Sequence, residues 1–351
     1  MKKLFSDFPP TIQTEFVNFG QWAQTQELIH IGSPGSIEER IKGSSTYYYL
    51  RFYDANAKLS EKYFGGPKGT PDGELAYKNA LDSIERSTMV VRDVKMFRKL
   101  DFAVIEDKAG ATLAALHNYG LFAAGLTLIG SNAYGAILNN LGVKAQRYLT
   151  EDIDTARSRP LSLATEPQLS LLDILKTSGL PFVRAKTGLN PKDKSETYRL
   201  PGNAKLLIDL SVSGSEAGAP VSVPELDAYA QSIPHLNHLV ENRMSAVILS
   251  KNYVVPIFVP SPERFATHKL FSAVSRVNQA AKSAKDLLQA ATVICAVEEK
   301  YPGDMADALS DFPKGGRRMM LKGAEKALHL VCGHSEEIGD RLKNAIQSLK
   351  S

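Results

Sequence analysis

Leu126-Thr127-Leu128-Ile129-Gly130-Ser131 reads as a buried strand that stops at a glycine-serine turn, and Asn132 to Leu141 follows at once as a helix. Gly142 closes that helix, because glycine reaches the left-handed backbone of a C-terminal cap without strain. The next stretch, Thr150-Glu151-Asp152-Ile153-Asp154-Thr155, reads as a strand with carboxylates on alternate positions. Side chains along a strand alternate faces at about 3.3 Å per residue, so Asp152 and Asp154 point the same way, roughly 7 Å apart at the backbone. Ile153 then enters the core, and the two acids can grip one or two divalent ions between them. A third acid, Asp209, interrupts Leu206-Leu207-Ile208-Asp209-Leu210, a run apolar enough to be buried. A charge there is expensive unless it is paired or metal-bound. A metal shared with Asp152 and Asp154 would supply the partner. A bare Asp-x-Asp sits harmlessly in many loops; its conjunction with the Gly-Ser turn and a buried third acid is what points to a site.

Working outward from this stretch, Ala111 to His117 reads as a helix ending near Gly120, and Leu169 to Leu175 as another. Phe182 to Ala185, Glu196 to Leu200 and Leu206 to Val212 read as strands, with Gly188 to Lys194 as a loop between the first two. Val223 to Ser232 reads as a helix, and Ala246 to Ser250 with Val254 to Val259 as a closing hairpin. Upstream, Ser36-Ile37-Glu38-Glu39 has capping-box spacing and predicts a short helix. Tyr47 to Tyr53 and Leu59 to Phe64, around a polar turn at Asp54 to Ala57, predict an aromatic hairpin whose tyrosines suit either strand packing or stacking on bases. From Thr70-Pro71, apolar residues recur at helical spacing through Phe97 and predict a long amphipathic helix. Beyond Ser261-Pro262-Glu263, a serine N-cap with proline and an acid in the first turn, the pattern is wholly helical. Helices are expected over 263–274, 281–299, 303–309, 315–330 and 335–349. No internal repeat is present. The expected architecture is α+β: a mixed N-terminal region over 1–110, a core with a mixed β-sheet flanked by helices over 111–260, and a helical domain over 261–351.

Composition bounds the function. The 351 residues are 43% hydrophobic and 23% charged, which excludes fibrous and wholly disordered readings. A net charge of +4, from 42 basic and 38 acidic side chains, is too small to bind nucleic acid by bulk electrostatics, so any polyanion site must be local. Cys295 and Cys332 make no disulfide framework and fit a reducing compartment. With no apolar signal segment and no membrane-length apolar run, a cytoplasmic protein without a membrane partner is expected.

Leu128-Ile129-Gly130-Ser131, Glu151-Asp152-Ile153-Asp154 and Ile208-Asp209-Leu210 together resemble the three signatures of the DNA polymerase beta-like nucleotidyltransferase superfamily. More narrowly, Gly130-Ser131-Asn132-Ala133-Tyr134, Leu141-Gly142-Val143 and Thr150 to Asp154 resemble a bacterial group of nucleotidyltransferases. That likeness extends to Arg264 to Leu270, to Lys285 to Ala290 and to the Tyr47 to Gly66 hairpin. Asp152 lies twenty-one residues after Ser131, a longer spacing than in compact members of the superfamily but one shared by the narrower group. The resemblance implies that Gly130 and Ser131 hold an NTP triphosphate at a helix N-terminus. It implies that Asp152 and Asp154 bind two Mg²⁺ ions, with Mn²⁺ as an alternative, and that Asp209 completes the second ion's shell and favours loss of the acceptor's proton. Lys269 and Lys285, on consecutive helices, are then expected at the β and γ phosphates, although surface lysines are often simply solvated.

The function expected from this resemblance is transfer of a nucleoside monophosphate from an NTP, ATP for example, to a hydroxyl acceptor with release of pyrophosphate. RNA, tRNA included, is the leading acceptor, because Lys314-Gly315-Gly316-Arg317-Arg318 with Lys322 forms the most basic local patch. Alternatives are a protein or small-molecule acceptor, as for a toxin or defence factor with an antitoxin partner, and a non-catalytic nucleotide- or RNA-binding protein. His235 with His238, and His329 with Cys332 and His334, lack four ligands in a zinc spacing. Ser131 lacks the Gly-x-Ser-x-Gly turn of an acyl-transfer nucleophile.

Overall fold

The strand Asp152–Arg157 lies beside Leu207–Ser213 in a seven-stranded mixed sheet. The two run parallel, with Asp152 opposite Leu207 and Asp154 opposite Asp209. Thr127–Ile129 pairs antiparallel on the other edge of Asp152–Arg157 and sets Ile129 against Asp154. The far side of Leu207–Ser213 is shared: its first half pairs with Thr197–Arg199 and its second half with Ala228–Ile233. Val183–Arg184 and Pro220–Val223 complete the sheet. A computed structural model describes residues 3–148, 150–162, 169–185, 196–202, 205–276 and 278–350. The expected loop over 188–194 lies outside the described residues.

Strand alternation builds the core. Ile153, Ile208 and Leu210 are essentially inaccessible, while the three aspartates between and beside them are half-buried on the opposite face. The helix Gly130–Asn140 packs across the sheet, buried from Asn132 through Asn139. Its end is as read: Gly142 takes φ +67 and donates its amide to the Asn139 carbonyl. One apolar cluster runs from Phe5 to Ile346 and joins this sheet to the C-terminal helices, and a smaller one gathers Phe8, Phe16, Phe19, Phe97 and Phe102.

The C-terminal helices are Pro262–Ser275, Ala280–Lys300, Asp304–Asp311, Lys314–His334 and Glu336–Ser348, close to their expected spans. Ser261 stands at the first N-cap as read, yet its buried hydroxyl makes no capping bond. The long helix Pro71–Lys99 is capped by Thr70, which accepts from the Gly73 amide, while Glu74 reaches back to the Gly69 amide. The hairpin Arg243–Ser250 with Tyr253–Pro260 forms as expected and also pairs with a two-residue strand, Val104–Ile105.

Two sequence readings fail. Ser36–Lys42 is a strand, not a capped helix; it pairs along its whole length with Ser45–Tyr53, which pairs in turn with Leu59–Pro67. Seven ladder positions outweigh one local capping box. Val223 to Ser232 is not a helix either: a single 3₁₀ turn, Pro224–Leu226, separates two strands. Short apolar runs carry no decisive period, and pairing with Ser211–Ser213 and Pro220–Val223 decides the outcome. The strand Phe5–Asp7 and the helix Pro10–Gln24 were not read from the sequence.

Candidate active site

Gly130 is the pivot of the site. It takes φ +70, a left-handed conformation that side chains resist, and a Cβ there would collide with the Asp154 carboxylate. Only glycine lets the chain turn from strand to helix while a carboxylate lies against its backbone. The Asn132 side chain donates to the Asp152 carbonyl at 2.9 Å and ties the start of the helix to the acidic strand.

Alternation puts Asp152 and Asp154 on one face, and the parallel register puts Asp209 beside Asp154 on that same face. These three acids line a cavity of about 460 Å³ together with Gly130 and Ser131. Across it stand Lys269 from the middle of one helix and Arg276 from its C-terminal cap, and Lys282 and Lys285 from the next. The residues expected to hold the triphosphate and the metal all line this one cavity: Gly130, Ser131, Asp152, Asp154, Asp209, Lys269 and Lys285. Residues 264–270 and 285–290, far apart from the acids in sequence, supply the opposite wall.

The electrostatics of the acidic wall are unfavourable when it stands alone. Burial, then the neighbouring Asp209, pushes the Asp154 carboxyl up to about 6, against the pull of Lys269. Burial also raises Asp209, while a hydrogen bond from the Thr197 hydroxyl to its Oδ1 pulls it back. On the cationic wall, burial and then Lys269 lower the Lys285 ammonium. Lys269 Nζ is 2.7 Å from Asp286 Oδ1 and Arg276 Nε is 2.9 Å from Asp286 Oδ2. Asp286 is 4% exposed and Lys269 12%, so this acid is the fixed anchor of the cationic wall. Asp286 takes these two partners from the preceding helix and its end rather than Lys282, four residues before it on its own helix. Among the described residues, no three histidine, cysteine, aspartate or glutamate side chains stand close enough to hold a metal ion unaided.

The sequence profile of a family described as nucleotidyltransferase matches residues 107–313, more than half of the chain and all of this cavity. The chain belongs to that nucleotidyltransferase family. Comparison with curated proteins and with solved structures gives no match. Among the described residues, no helix of this nucleotidyltransferase is long and apolar enough to cross a membrane.

The sequence reading missed Arg276, Lys282 and Asp286 as wall residues of the nucleotidyltransferase. A signal for Arg276 was present, since Lys269, Ser272 and Arg276 recur at i, i+3 and i+7. His268 also lines the cavity, with its imidazole pushed down to about 3 by burial, and therefore stays neutral. The basic patch is weaker than its sequence suggests. Arg317 spends its guanidinium on the Ser310 and Phe312 carbonyls, and Gly316 packs against His235.

Proposed function

We propose that this nucleotidyltransferase moves a nucleoside monophosphate from an NTP to a hydroxyl acceptor, with RNA as the acceptor class. The observation that carries the reading is the opposition, across one cavity, of three carboxylates and a lysine-arginine wall at the start of a buried helix. The Gly130 and Ser131 amides and the Ser131 hydroxyl hold triphosphate oxygens, where unpaired helix donors and the helix dipole favour an anion. Lys269 and Lys285 neutralise the β and γ phosphates, Lys269 held in aim by Asp286.

Asp152, Asp154 and Asp209 line one cavity as an oxygen-only donor set with mutual repulsion, a chemistry that suits Mg²⁺, an ion that takes the rest of its shell from phosphate and water. When bound, two such ions would neutralise charge on the attacking and leaving oxygens. Asp209 accepts the acceptor hydroxyl's proton. The acceptor oxygen then bonds to the α phosphorus, the α–β bridging bond breaks, and pyrophosphate leaves.

The RNA assignment rests on the N-terminal sheet. Tyr48 packs inward at 3% exposure, whereas Tyr53 and Tyr63 face outward at 57% and 50%. Tyr49 lies beside Tyr63, with the Arg40 guanidinium and Lys42 ammonium about 5 Å from its ring. Exposed rings interleaved with cations are the equipment for stacking unpaired bases. The test is incubation of the full chain with Mg²⁺, each labelled NTP in turn, and separated RNA and protein fractions. Label is expected in RNA together with stoichiometric pyrophosphate. No label in any fraction, with Asp152→Ala and Asp154→Ala indistinguishable from the parent, sinks the enzyme reading; label in protein alone sinks the acceptor.

A further inference from the structure

A second cavity, also of about 460 Å³, meets the first at Ser131 and Thr150. We propose that it is a nucleoside-binding subsite, which places a base beside the phosphate cradle; the proposal rests on the reading of the first cavity as the triphosphate site.

Its walls differ in kind from those of the first. Tyr148 supplies a half-buried ring, the buried Phe102 and Tyr134 close the floor behind it, and Val104 and Ile105 supply both apolar side chains and backbone. A concave, aromatic-lined pocket with a few polar groups is the ordinary setting for a planar ligand. Val104–Ile105 is the edge of its sheet: Leu249 and Ser250 pair with it on one side, and among the described residues no strand pairs with the other. An edge strand offers amide donors and carbonyl acceptors in fixed order. Such an edge can read the hydrogen-bonding edge of a base. The neighbouring Ala103 is already committed, its amide and carbonyl both bonded by the Asn139 side chain at 2.8 and 3.0 Å. That pair holds the strand rigidly in place without using the groups of Val104 and Ile105.

The two cavities are also joined through a side chain. The Lys285 ammonium, on the phosphate wall, lies 5.1 Å from the centroid of the Tyr148 ring, which lines the second cavity. The Arg147 guanidinium donates to the Phe102 carbonyl and ties the Tyr148 segment to the segment leading into the edge strand. A ligand with phosphates on one side of Ser131 and a planar ring on the other would engage both, and a nucleotide has that form. The base can come from the NTP itself or from the acceptor's terminal nucleotide.

The experiment compares the affinities of tripolyphosphate and of each NTP for the full chain in Mg²⁺ by calorimetry, alongside RNA labelling. The variants are Tyr148→Ala, Tyr148→Phe and Ala145→Trp, the last filling the cavity from its rim. Stacking a base on a ring is worth roughly tenfold or more in affinity. At least one NTP should therefore bind the parent about tenfold more tightly than tripolyphosphate. Tyr148→Ala and Ala145→Trp should erase that advantage, Ala145→Trp without weakening tripolyphosphate, and Tyr148→Phe should keep it. If the advantage survives but the KM for acceptor RNA rises by a similar factor, the base is the acceptor's. If neither donor nor acceptor affinity moves in variants with native circular dichroism, the subsite is refuted. Should tripolyphosphate fail to bind the parent, the phosphate reading of the first cavity falls separately. The subsite is then judged on free nucleosides, whose binding must be present in the parent and lost in Tyr148→Ala.

Discussion

Asp154→Asn should make the metal-free protein more stable while abolishing transfer. The Asp154 carboxyl has an ordinary value of 3.8 and stands at about 6 in the fold, raised by burial and by Asp209. A shift of about 2 units at about 1.4 kcal/mol each means that keeping Asp154 ionised costs the folded chain about 3 kcal/mol. The sign follows from proton binding. The folded state holds this proton more tightly than the unfolded chain, so the cost is absent below about pH 4, grows as pH rises towards 6, and is complete above it. An asparagine removes the charge at nearly constant shape. Urea unfolding in a chelator should show Asp154→Asn more stable than the parent by about 2–3 kcal/mol near pH 8, and by almost nothing near pH 4. Added Mg²⁺ should then raise the parent's midpoint near pH 8 and leave the variant's unchanged, because a ligand stabilises only the state that binds it. An equal gain at both pH values, or no gain near pH 8, would refute the electrostatic account.

Other perturbations follow from the same geometry. Gly130→Ala puts a Cβ at φ +70 against the Asp154 carboxylate; about 1–2 kcal/mol of stability should be lost from the backbone alone, with activity falling below detection in a pyrophosphate-release assay. Asp286→Ala leaves Lys269 and Arg276 without their shared partner, so thermal unfolding should report a loss of about 3–5 kcal/mol, with a raised KM for NTP. Thr197→Val removes the hydroxyl that pulls the Asp209 pKa down. Its pH–rate profile should therefore have its acidic limb moved to higher pH, and an unmoved limb would deny Asp209 the role of proton acceptor.

The opposing walls of the cavity show why a site like this resists uniform stability. The acidic wall is strained by its own repulsion, and the cationic wall is held by one buried aspartate that carries two cations. Each wall is organised for a charged ligand that bridges them, and the folded chain bears the cost until that ligand arrives.

The sequence by itself determined the parts whose physics is local. Ile129-Gly130-Ser131 could only be a strand turning into a helix, Asp-x-Asp on a strand could only present both acids on one face, and the long periodic runs after Ser261 could only be helices. These rest on alternation, on the left-handed freedom of glycine and on helical period, all properties of neighbouring residues. The tertiary structure decided everything that depends on pairing between distant segments. Ser36–Lys42 became a strand because Ser45–Tyr53 lay ready to pair with it, and Ala228–Ile233 because Ser211–Ser213 did. Asp209 met Asp154 through a parallel register between two strands far apart in the chain. Asp286 found Lys269 and Arg276, rather than its helical neighbour Lys282, because two helices pack closely enough to bury the acid. A charge leaving water takes the partners that desolvation makes worthwhile, and only the packed structure fixes which those are.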